Sequence, residues 1–170
     1  ATFDGRTIPL VLKDPSAAQM ADLLYRVSEF AGEADSVLIY YAGHGIYEQA
    51  TGAAFWVPVN ARYGYPPSYY DPDLLSKDLS RIKAGNVLVI SDSCYSGQLL
   101  RGADGPAGAM DDDRMLALQR LSDRKSRILI TSGNDTPVAD NGGGGHSVFA
   151  AALLGALREN SEIIEAQALF

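Results

Sequence analysis

The sequence predicts an α/β domain with a mostly parallel central sheet and helices on both faces. Residues 37–41 and 87–90 are short, continuous apolar runs, a pattern typical of strands that are covered on both faces in a parallel sheet. Helical spacing of leucines over about 73–84 directly precedes the second run, as a strand–helix–strand crossover requires. With 170 residues, 46% of them hydrophobic, the chain is long enough to bury one core of its own.

The first part of the chain predicts an edge strand and a capped helix. Residues 8–12 are apolar enough for a short strand, and Pro9, which has no N–H to donate, favours an edge position. Ser16 and Gln19 have the spacing of a capping box, so we expect a helix to begin there and to end near Gly32. Its apolar face would comprise Met20, Leu23, Leu24, Val27, Phe30 and Ala31.

A hairpin and a second helix are expected between the two buried strands. Residues 46–60 hold Gly52 between two partly apolar arms, which predicts a hairpin beside the sheet. Residues 61–73 are rich in Pro, Tyr and Gly and predict an irregular loop. The helix over 73–84 would bury Leu74, Leu75, Leu79 and Ile82.

The last part of the chain continues the α/β pattern. Residues 102–108 have the composition of a flexible linker, and the acidic run 111–113 suits the start of a short helix. A further strand is expected over 128–130, followed by a glycine-rich loop over 141–145 and a helix over 147–157.

Charge and cysteine content exclude several classes of function. A net charge of −7 disfavours nucleic acid as a partner, because phosphate binding needs clustered Lys and Arg. No apolar run approaches the roughly 20 residues of a membrane helix, so no membrane partner is expected. The single cysteine excludes an internal disulfide framework, and a free thiol persists best in a reducing compartment, which predicts a cytoplasmic location.

Two residues with catalytic chemistry follow the two buried strands. Cys94, the only cysteine, lies at a small, polar bend after 87–90, and His44 lies between glycines after 37–41. The carboxyl ends of neighbouring parallel strands meet at one edge, so these side chains can form a nucleophile and its acid/base partner. A lone cysteine is more often buried and inert, and His146 competes for the acid/base role. Spacing alone leaves both questions open.

Four motifs resemble the caspase-like cysteine peptidases, and they are closest to metacaspases and to bacterial caspase-like proteases of the orthocaspase type. They are Tyr-Tyr-Ala-Gly-His-Gly at 40–45, Phe-Trp-Val-Pro-Val-Asn at 55–60, Asp-Ser-Cys-Tyr-Ser-Gly at 92–97 and Ile-Leu-Ile-Thr-Ser-Gly at 128–133. The resemblance covers most of the chain. It implies the caspase-like (caspase–hemoglobinase) fold and a cysteine endopeptidase that acts on proteins or peptides.

The resemblance assigns the catalytic residues. It implies a dyad of Cys94 and His44, because His146 matches a segment that the family does not use for catalysis. The N–H groups of Gly45 and Cys94 would form the oxyanion hole, where a glycine lets the backbone come close to the substrate carbonyl.

The resemblance also implies a pocket for a basic side chain. Asp92 and Cys94 lie on the same face of a strand, and metacaspases carry at this position an aspartate that recognises arginine or lysine. Asp140 matches a second acid of that pocket, and Ser132 would line its wall. Two carboxylates suit a guanidinium, whose donors form a planar fork, so cleavage after Arg (or Lys) is predicted. The alternative for Asp140 is a solvated loop carboxylate.

Calcium is where the sequence departs from the metacaspases. Many metacaspases are activated by Ca²⁺ through several aspartates, but two matching positions here are Asn60 and Arg101, and only Asp71 and Asp73 remain. An arginine is unfavourable beside a cation that requires several oxygen ligands. The acidic run 111–113 is expected to cap a helix, since adjacent side chains there do not converge. We therefore expect no metal and no other cofactor.

The chain, residues 1–170, is expected to be a caspase-like peptidase domain from a longer protein. In the caspase-like fold two strand–helix units precede the histidine strand, and only one precedes it here, so a first strand and helix are expected to be missing. Further partners would be that N-terminal segment or other domains of the same protein. The linker and the basic stretch 120–127 lie where related enzymes are cut during maturation, which predicts self-cleavage, although a solvated helix face explains the basic residues equally well.

Two other functions are left open by the sequence. The main alternative is a catalytically quiet caspase-like module that serves assembly or signalling, although both dyad residues are present. A hydrolase with Ser93 or Ser96 as its nucleophile would lack the Gly-x-Ser-x-Gly turn of that class.

Overall fold

The computed structural model describes residues 7–51, 53–93, 126–132 and 144–160. Within those ranges it contains five β-strands and three α-helices. In chain order these elements are α1 (Ala17–Phe30), β1 (Ser36–Ala42), β2 (Gly45–Glu48), β3 (Ala53–Trp56), α2 (Pro72–Arg81), β4 (Asn86–Asp92), β5 (Ser126–Thr131) and α3 (Val148–Glu159). A 3-10 turn, Pro66–Ser68, precedes α2.

Strands β1, β4 and β5 form a parallel sheet with β4 in the middle. The register sets Ala42 of β1 opposite Asp92 of β4. Because β4 has a strand on each side and helices above and below, its apolar run is covered on both faces. The buried apolar side chains of β4 are Val87, Val89 and Ile90. The predicted mostly parallel sheet is confirmed.

Helices cover both faces of this sheet, as predicted. Successive strand side chains point to opposite faces, and the buried residues form two separate clusters. One cluster joins α1, α2 and one face of β4, and it includes Met20, Leu24, Leu75, Val87 and Val89. The other packs α3 against the opposite face and comprises Ile90, Ile130, Phe149 and Leu153.

Helix α1 begins at the predicted capping box. The Ser16 hydroxyl accepts a hydrogen bond from the Gln19 N–H (3.3 Å), and Gln19 Oε1 accepts one from the Ser16 N–H (2.9 Å). Met20 and Leu24 of the predicted apolar face are buried, but Phe30 is 85% exposed, so that part of the prediction is wrong. Phe30 is the last residue of α1 and lies at the margin of its apolar face, whereas Val27 and Ala31 pack against the core.

Strands β2 and β3 form the predicted antiparallel hairpin beside the main sheet. Trp56, at the end of β3, exchanges backbone hydrogen bonds with Tyr70, which lies in the irregular loop predicted over 61–73. The two rings also stack, with 6.2 Å between their centroids. The loop thereby anchors the hairpin next to the start of α2.

Helix α2 is confirmed, but one of its buried positions is polar. Asp71 caps its N-terminus by accepting hydrogen bonds from two N–H groups of the first turn. Leu74, predicted to be buried, is 41% exposed, whereas Asp78 is buried. Asp78 is tolerated there because it accepts a hydrogen bond from the Tyr70 hydroxyl (2.7 Å) and pairs with Arg81 (2.8 Å).

Residues 8–12 do not form the predicted edge strand. No strand forms there within the described part of the chain, and the large apolar side chains are exposed, from 41% for Leu12 to 85% for Val11. A strand needs a hydrogen-bonded neighbour, and Pro9 lacks the N–H that such pairing uses. Apolar composition alone is therefore insufficient to form a strand when no partner strand is available.

Several predicted elements lie outside the described residues: the linker over 102–108, the helix that the run 111–113 would start, and most of the loop over 141–145. The strand predicted over 128–130 is confirmed as β5, and the helix over 147–157 as α3, which Ser147 caps. No helix in the described part of the chain is long and apolar enough to cross a membrane.

Candidate active site

The strand ends of the parallel sheet bring three polar segments to one edge. Strands β1 and β4 end side by side. The pairing continues beyond them: the Gly43 N–H donates to the Asp92 carbonyl (3.3 Å), and the Ser132 N–H donates to the Ser91 carbonyl (3.0 Å). Gly43, Ser93 and Ser132, the residues directly after β1, β4 and β5, therefore lie together, at the edge where open parallel sheets hold their sites.

Four of the predicted site residues lie at this edge within the described ranges: His44, Gly45, Asp92 and Ser132. Cys94 and Asp140 lie outside the described residues, so their roles stay predictions. The structure brings together the ends of β4 and β5, and with them Asp92 and Ser132. His44 and Gly45 follow the neighbouring end of β1.

The loop that carries His44 is fixed through its backbone. The His44 carbonyl accepts hydrogen bonds from the Val57 N–H (3.0 Å) and from the Tyr41 hydroxyl (2.9 Å). His44 is exposed to solvent. An accessible imidazole on a firmly held backbone suits an acid/base group that must meet a substrate.

Tyr41 packs beneath this loop. Its ring stacks on Trp56 with 4.2 Å between centroids and 12° between planes, and Trp56 Nε1 donates to the Ser91 hydroxyl (2.9 Å). Burial raises the pKa of Tyr41 to about 12, although a hydrogen bond with the Val57 backbone acts in the opposite direction. The Tyr41 hydroxyl therefore stays protonated near neutral pH and continues to donate to the His44 carbonyl.

The hairpin orients the N–H of Gly45. His44 and Val57 share a hydrogen bond, and the next pair along the ladder is Gly45 opposite Trp56. Hydrogen-bonded and non-hydrogen-bonded pairs alternate in an antiparallel ladder, so Gly45 and Trp56 form the non-hydrogen-bonded kind. The Gly45 N–H therefore points away from β3. The Trp56 backbone N–H and carbonyl likewise point away from β2, because both form hydrogen bonds with Tyr70.

Ser132 binds the backbone of the residue before Cys94. Its hydroxyl accepts a hydrogen bond from the Ser93 N–H (3.1 Å) and donates to the Ser93 carbonyl (3.3 Å). Ser93 is 3% exposed, and its hydroxyl pairs with that of Ser91 (3.1 Å). A buried, paired hydroxyl does not fit a nucleophile that must reach a substrate, which weakens the alternative with Ser93 in that role. Ser96 lies outside the described residues.

Asp92 is a buried carboxylate held by two hydroxyl groups. It is 9% exposed, and its Oδ2 accepts hydrogen bonds from Tyr40 (3.0 Å) and Ser147 (2.5 Å). Ser147 also caps α3, because its hydroxyl accepts from the Ala150 N–H (2.9 Å). The pKa of Tyr40 is raised to about 12, mainly by partial burial and further by the hydrogen bond to Asp92 and by the negative charge of Asp92. The Tyr40 hydroxyl therefore stays protonated and remains a hydrogen-bond donor. Two donors on one oxygen explain how the carboxylate is tolerated at this depth.

Two residues at positions that correspond to metacaspase calcium ligands form hydrogen bonds at the starts of helices. Asn60 Oδ1 accepts a hydrogen bond from the Ala17 N–H (3.4 Å) at the start of α1, and Asp71 caps α2. Among the residues that the structure describes, no group of three or more His, Cys, Asp or Glu side chains could hold a metal ion. Arg101 and the run 111–113 lie outside those residues.

Comparison with known families identifies the class of protein. The family model described as the caspase domain matches residues 6–170. The chain belongs to the caspase domain family. The resemblance of its motifs to caspase-like cysteine peptidases is thereby confirmed, together with the caspase-like α/β fold that the resemblance implied.

A solved structure supports the same fold. The crystal structure of protein GSU0716 from Geobacter sulfurreducens aligns with this caspase domain at a TM-score of 0.59 and 20% sequence identity. The alignment covers 91% of this chain and 66% of that one, so the caspase domain spans just under two thirds of the other chain's length. At this identity the likeness supports the fold alone. No curated protein matches the chain.

Three residues that support the site were not predicted from the sequence: Tyr40, Tyr41 and Ser147. The two tyrosines belong to an apolar strand run, where side chains are expected to pack rather than to donate hydrogen bonds. Ser147 has the sequence signal of an N-cap, a hydroxyl residue before an apolar helix. That signal predicts the cap but not the bond with Asp92, 55 positions away.

The backbone at Gly43 has no room for a side chain. A Cβ there would lie 2.6 Å from the Tyr41 hydroxyl oxygen and 2.8 Å from Tyr41 Cζ, and the stacking on Trp56 keeps that ring in place. We expect Gly43→Ala to displace the His44 loop. Because small displacements of catalytic groups are costly, peptidase kcat/KM should fall by at least about tenfold, with a lower Tm.

Gly155→Ala is the matched control for this prediction. A Cβ at Gly155 in α3 meets no heavy atom within 4 Å, and alanine favours a helix interior over glycine by about 1 kcal/mol. This variant should keep the wild-type kcat/KM. Peptide hydrolysis and thermal unfolding of both variants check the prediction, and an unchanged rate in Gly43→Ala would contradict it.

Proposed function

We propose that the caspase domain is a cysteine endopeptidase that cleaves after arginine or lysine, with Cys94 as nucleophile and His44 as acid/base. The observation that carries the proposal is the register of β1 and β4. Ala42 lies opposite Asp92, so His44 and Cys94 each follow that pair by two residues. Adjacent strands lie about 4.8 Å apart, a suitable separation for a thiol and an imidazole that act on one substrate.

The proposed reaction has two stages. The Cys94 thiolate attacks the carbonyl carbon before the cut, and the tetrahedral intermediate collapses to a thioester as the His44 imidazolium protonates the leaving amine. His44, now neutral, takes a proton from water, whose oxygen attacks the thioester. The second intermediate expels the Cys94 thiolate and releases the carboxylic acid, with His44 again an imidazolium.

The oxyanion of each intermediate would bind the N–H groups of Gly45 and Cys94. The direction of the Gly45 N–H supports this role, because the group points away from β3 and is not used by the hairpin ladder. A glycine at this position also lets the substrate carbonyl approach the backbone closely.

Specificity for a basic residue would come from Asp92, with Asp140 as a second acid of the pocket. The burial of Asp92 supports the proposal, because a carboxylate shielded from water interacts strongly with a cationic partner. Ser132 would contribute by holding the backbone of Ser93 beside the pocket. The substrates would be proteins or peptides with Arg or Lys before the cut.

The proposed reaction uses no metal or other cofactor. Asn60 and Asp71 already bind the starts of two helices, and Arg101 stands at the place of an expected ligand. A cytoplasmic location would keep the Cys94 thiol reduced. Self-cleavage in the region 114–127, after Arg114, Arg120, Arg124, Lys125 or Arg127, would follow from the same preference for basic residues.

Hydrolysis of a fluorogenic arginine-peptide amide by the wild-type protein, in the presence of EDTA, tests the proposal. We expect turnover, and we expect an arginine-directed ketone to label the peptide that contains Cys94 stoichiometrically. A mass spectrum of the same incubation should contain fragments cut within 114–127. Saturable stimulation by added Ca²⁺ would contradict the metal-free reaction. Neither turnover nor labelling, with every domain present, would favour a catalytically quiet module for assembly or signalling.

A further inference from the structure

We infer that Tyr40 and Ser147 determine specificity by positioning Asp92, so that the second oxygen of its carboxylate is presented to the basic side chain of the substrate. The inference rests on the proposed cleavage after Arg or Lys. Both residues act through Asp92, so they are positioning residues and do not touch the reacting atoms.

The two hydroxyl groups donate to the same carboxylate oxygen. Tyr40 and Ser147 lie 3.0 Å and 2.5 Å from Asp92 Oδ2. A carboxylate offers about four lone-pair sites on its two oxygens, and Oδ1 is the oxygen that neither hydroxyl occupies. A charge-assisted bond to a guanidinium requires such an oxygen at a fixed position. The two hydroxyls therefore set which oxygen meets the substrate.

Ser147 is itself held from two sides. Its hydroxyl oxygen accepts from the Ala150 N–H (2.9 Å), which leaves its one proton for Asp92. The helix that begins there packs Phe149 and Leu153 against the sheet. Any movement of α3 would carry the hydroxyl away from the carboxylate, so the packing of α3 also fixes Asp92.

Tyr40 reaches Asp92 from the neighbouring strand. It lies opposite Ile90, two residues before Asp92 and on the same face of the sheet, so its hydroxyl crosses diagonally to the carboxylate. The bond from Tyr40 depends on the β1–β4 register, whereas the bond from Ser147 depends on α3. Two separate elements thus fix one oxygen of the carboxylate.

A purely structural role for these hydroxyls makes a different prediction. If they only satisfied a buried carboxylate, removing one would lower the Tm without changing the preference for a cation. A positioning role instead changes the ratio of kcat/KM for an arginine substrate to kcat/KM for the matched citrulline substrate. Citrulline has nearly the same shape as arginine but carries no charge, so this ratio reports the contact with Asp92.

The experiment measures that ratio in wild type, Ser147→Ala, Ser147→Thr and Tyr40→Phe. Ser147→Ala and Tyr40→Phe should each lower the ratio by about tenfold, because a hydrogen bond to a charged group is lost. Ser147→Thr keeps a capping hydroxyl and should retain most of the ratio. Ser16→Ala is the matched control, since Ser16 caps α1 in the same way: the Tm should fall while the ratio stays unchanged.

Benzamidine binding provides a readout that does not depend on turnover. Its Kd, measured by NMR titration, should rise about tenfold in Ser147→Ala and Tyr40→Phe and stay constant in Ser16→Ala. If wild type prefers arginine and the two variants keep the full ratio, the inference is wrong and the proposed function stands. If wild type binds benzamidine with the expected variant pattern but does not cleave, the inference holds and the proposed catalysis fails. Cleavage without a preference for arginine, or neither cleavage nor binding, overturns both.

Discussion

Replacing His44 with alanine is expected to abolish peptide hydrolysis, as is replacing Cys94, whereas His146→Ala should keep most of the wild-type rate. Cys94 is the only thiol of the chain, so its loss removes the proposed covalent route. Loss of the acid/base group costs about a hundredfold to ten-thousandfold, because the leaving amine then lacks a positioned proton donor. Both losses should appear in kcat while the Tm stays close to that of wild type.

His146 is the matched control because it is the second of only two histidines in the chain. It is exposed and precedes the cap of α3, whereas the hydrogen bonds that hold the His44 loop come from Tyr41 and Val57. Initial rates on an arginine-peptide amide, with a circular dichroism spectrum of each variant, check the prediction. An inactive His146→Ala beside an active His44→Ala would reverse the assignment of the acid/base group.

Local signals in the sequence predict most of the described elements. The capping box at Ser16 and Gln19 concerns groups three residues apart, so the sequence states it directly. The apolar run of β4 is equally direct, because a strand in the middle of a covered sheet has no polar face. The position of His44 after β1 follows from the same reasoning, since parallel strands end at one edge.

Contacts between distant positions are what the sequence does not predict. The bond between Ser132 and Ser93 joins residues 39 positions apart, and that between Ser147 and Asp92 joins residues 55 apart. Neither pair leaves a periodic pattern, because each contact depends on where strand register and helix packing bring the two groups. The strand predicted over residues 8–12 is wrong for a related reason: their composition suits a strand, but strand pairing depends on a neighbour elsewhere in the chain.

An arginine before the cut should be preferred over an aspartate by at least about a hundredfold in kcat/KM. The proposed pocket acid, Asp92, is only 9% exposed, so an acidic substrate side chain would meet a poorly screened charge of the same sign. Leaving one partner of a buried charge pair without the other costs about 2–5 kcal/mol. Since about 1.4 kcal/mol corresponds to a factor of ten, that range corresponds to roughly thirtyfold to several thousandfold, and the repulsion between Asp92 and an aspartate substrate adds to it.

Asp92→Ala should remove most of this preference even where some cleavage persists, because the variant deletes the pocket charge and leaves His44 in place. Asp22→Ala is the matched control, since Asp22 is an exposed carboxylate of α1 that pairs with Arg26. Arginine should also be preferred over lysine if Asp140 reaches the pocket, because only the guanidinium fork engages two carboxylates at once. A peptide library varied at the residue before the cut measures both preferences, arginine over aspartate and arginine over lysine, in wild type and in each variant. Cleavage after aspartate or after apolar residues would overturn the pocket assignment and leave the proposed dyad of Cys94 and His44 standing.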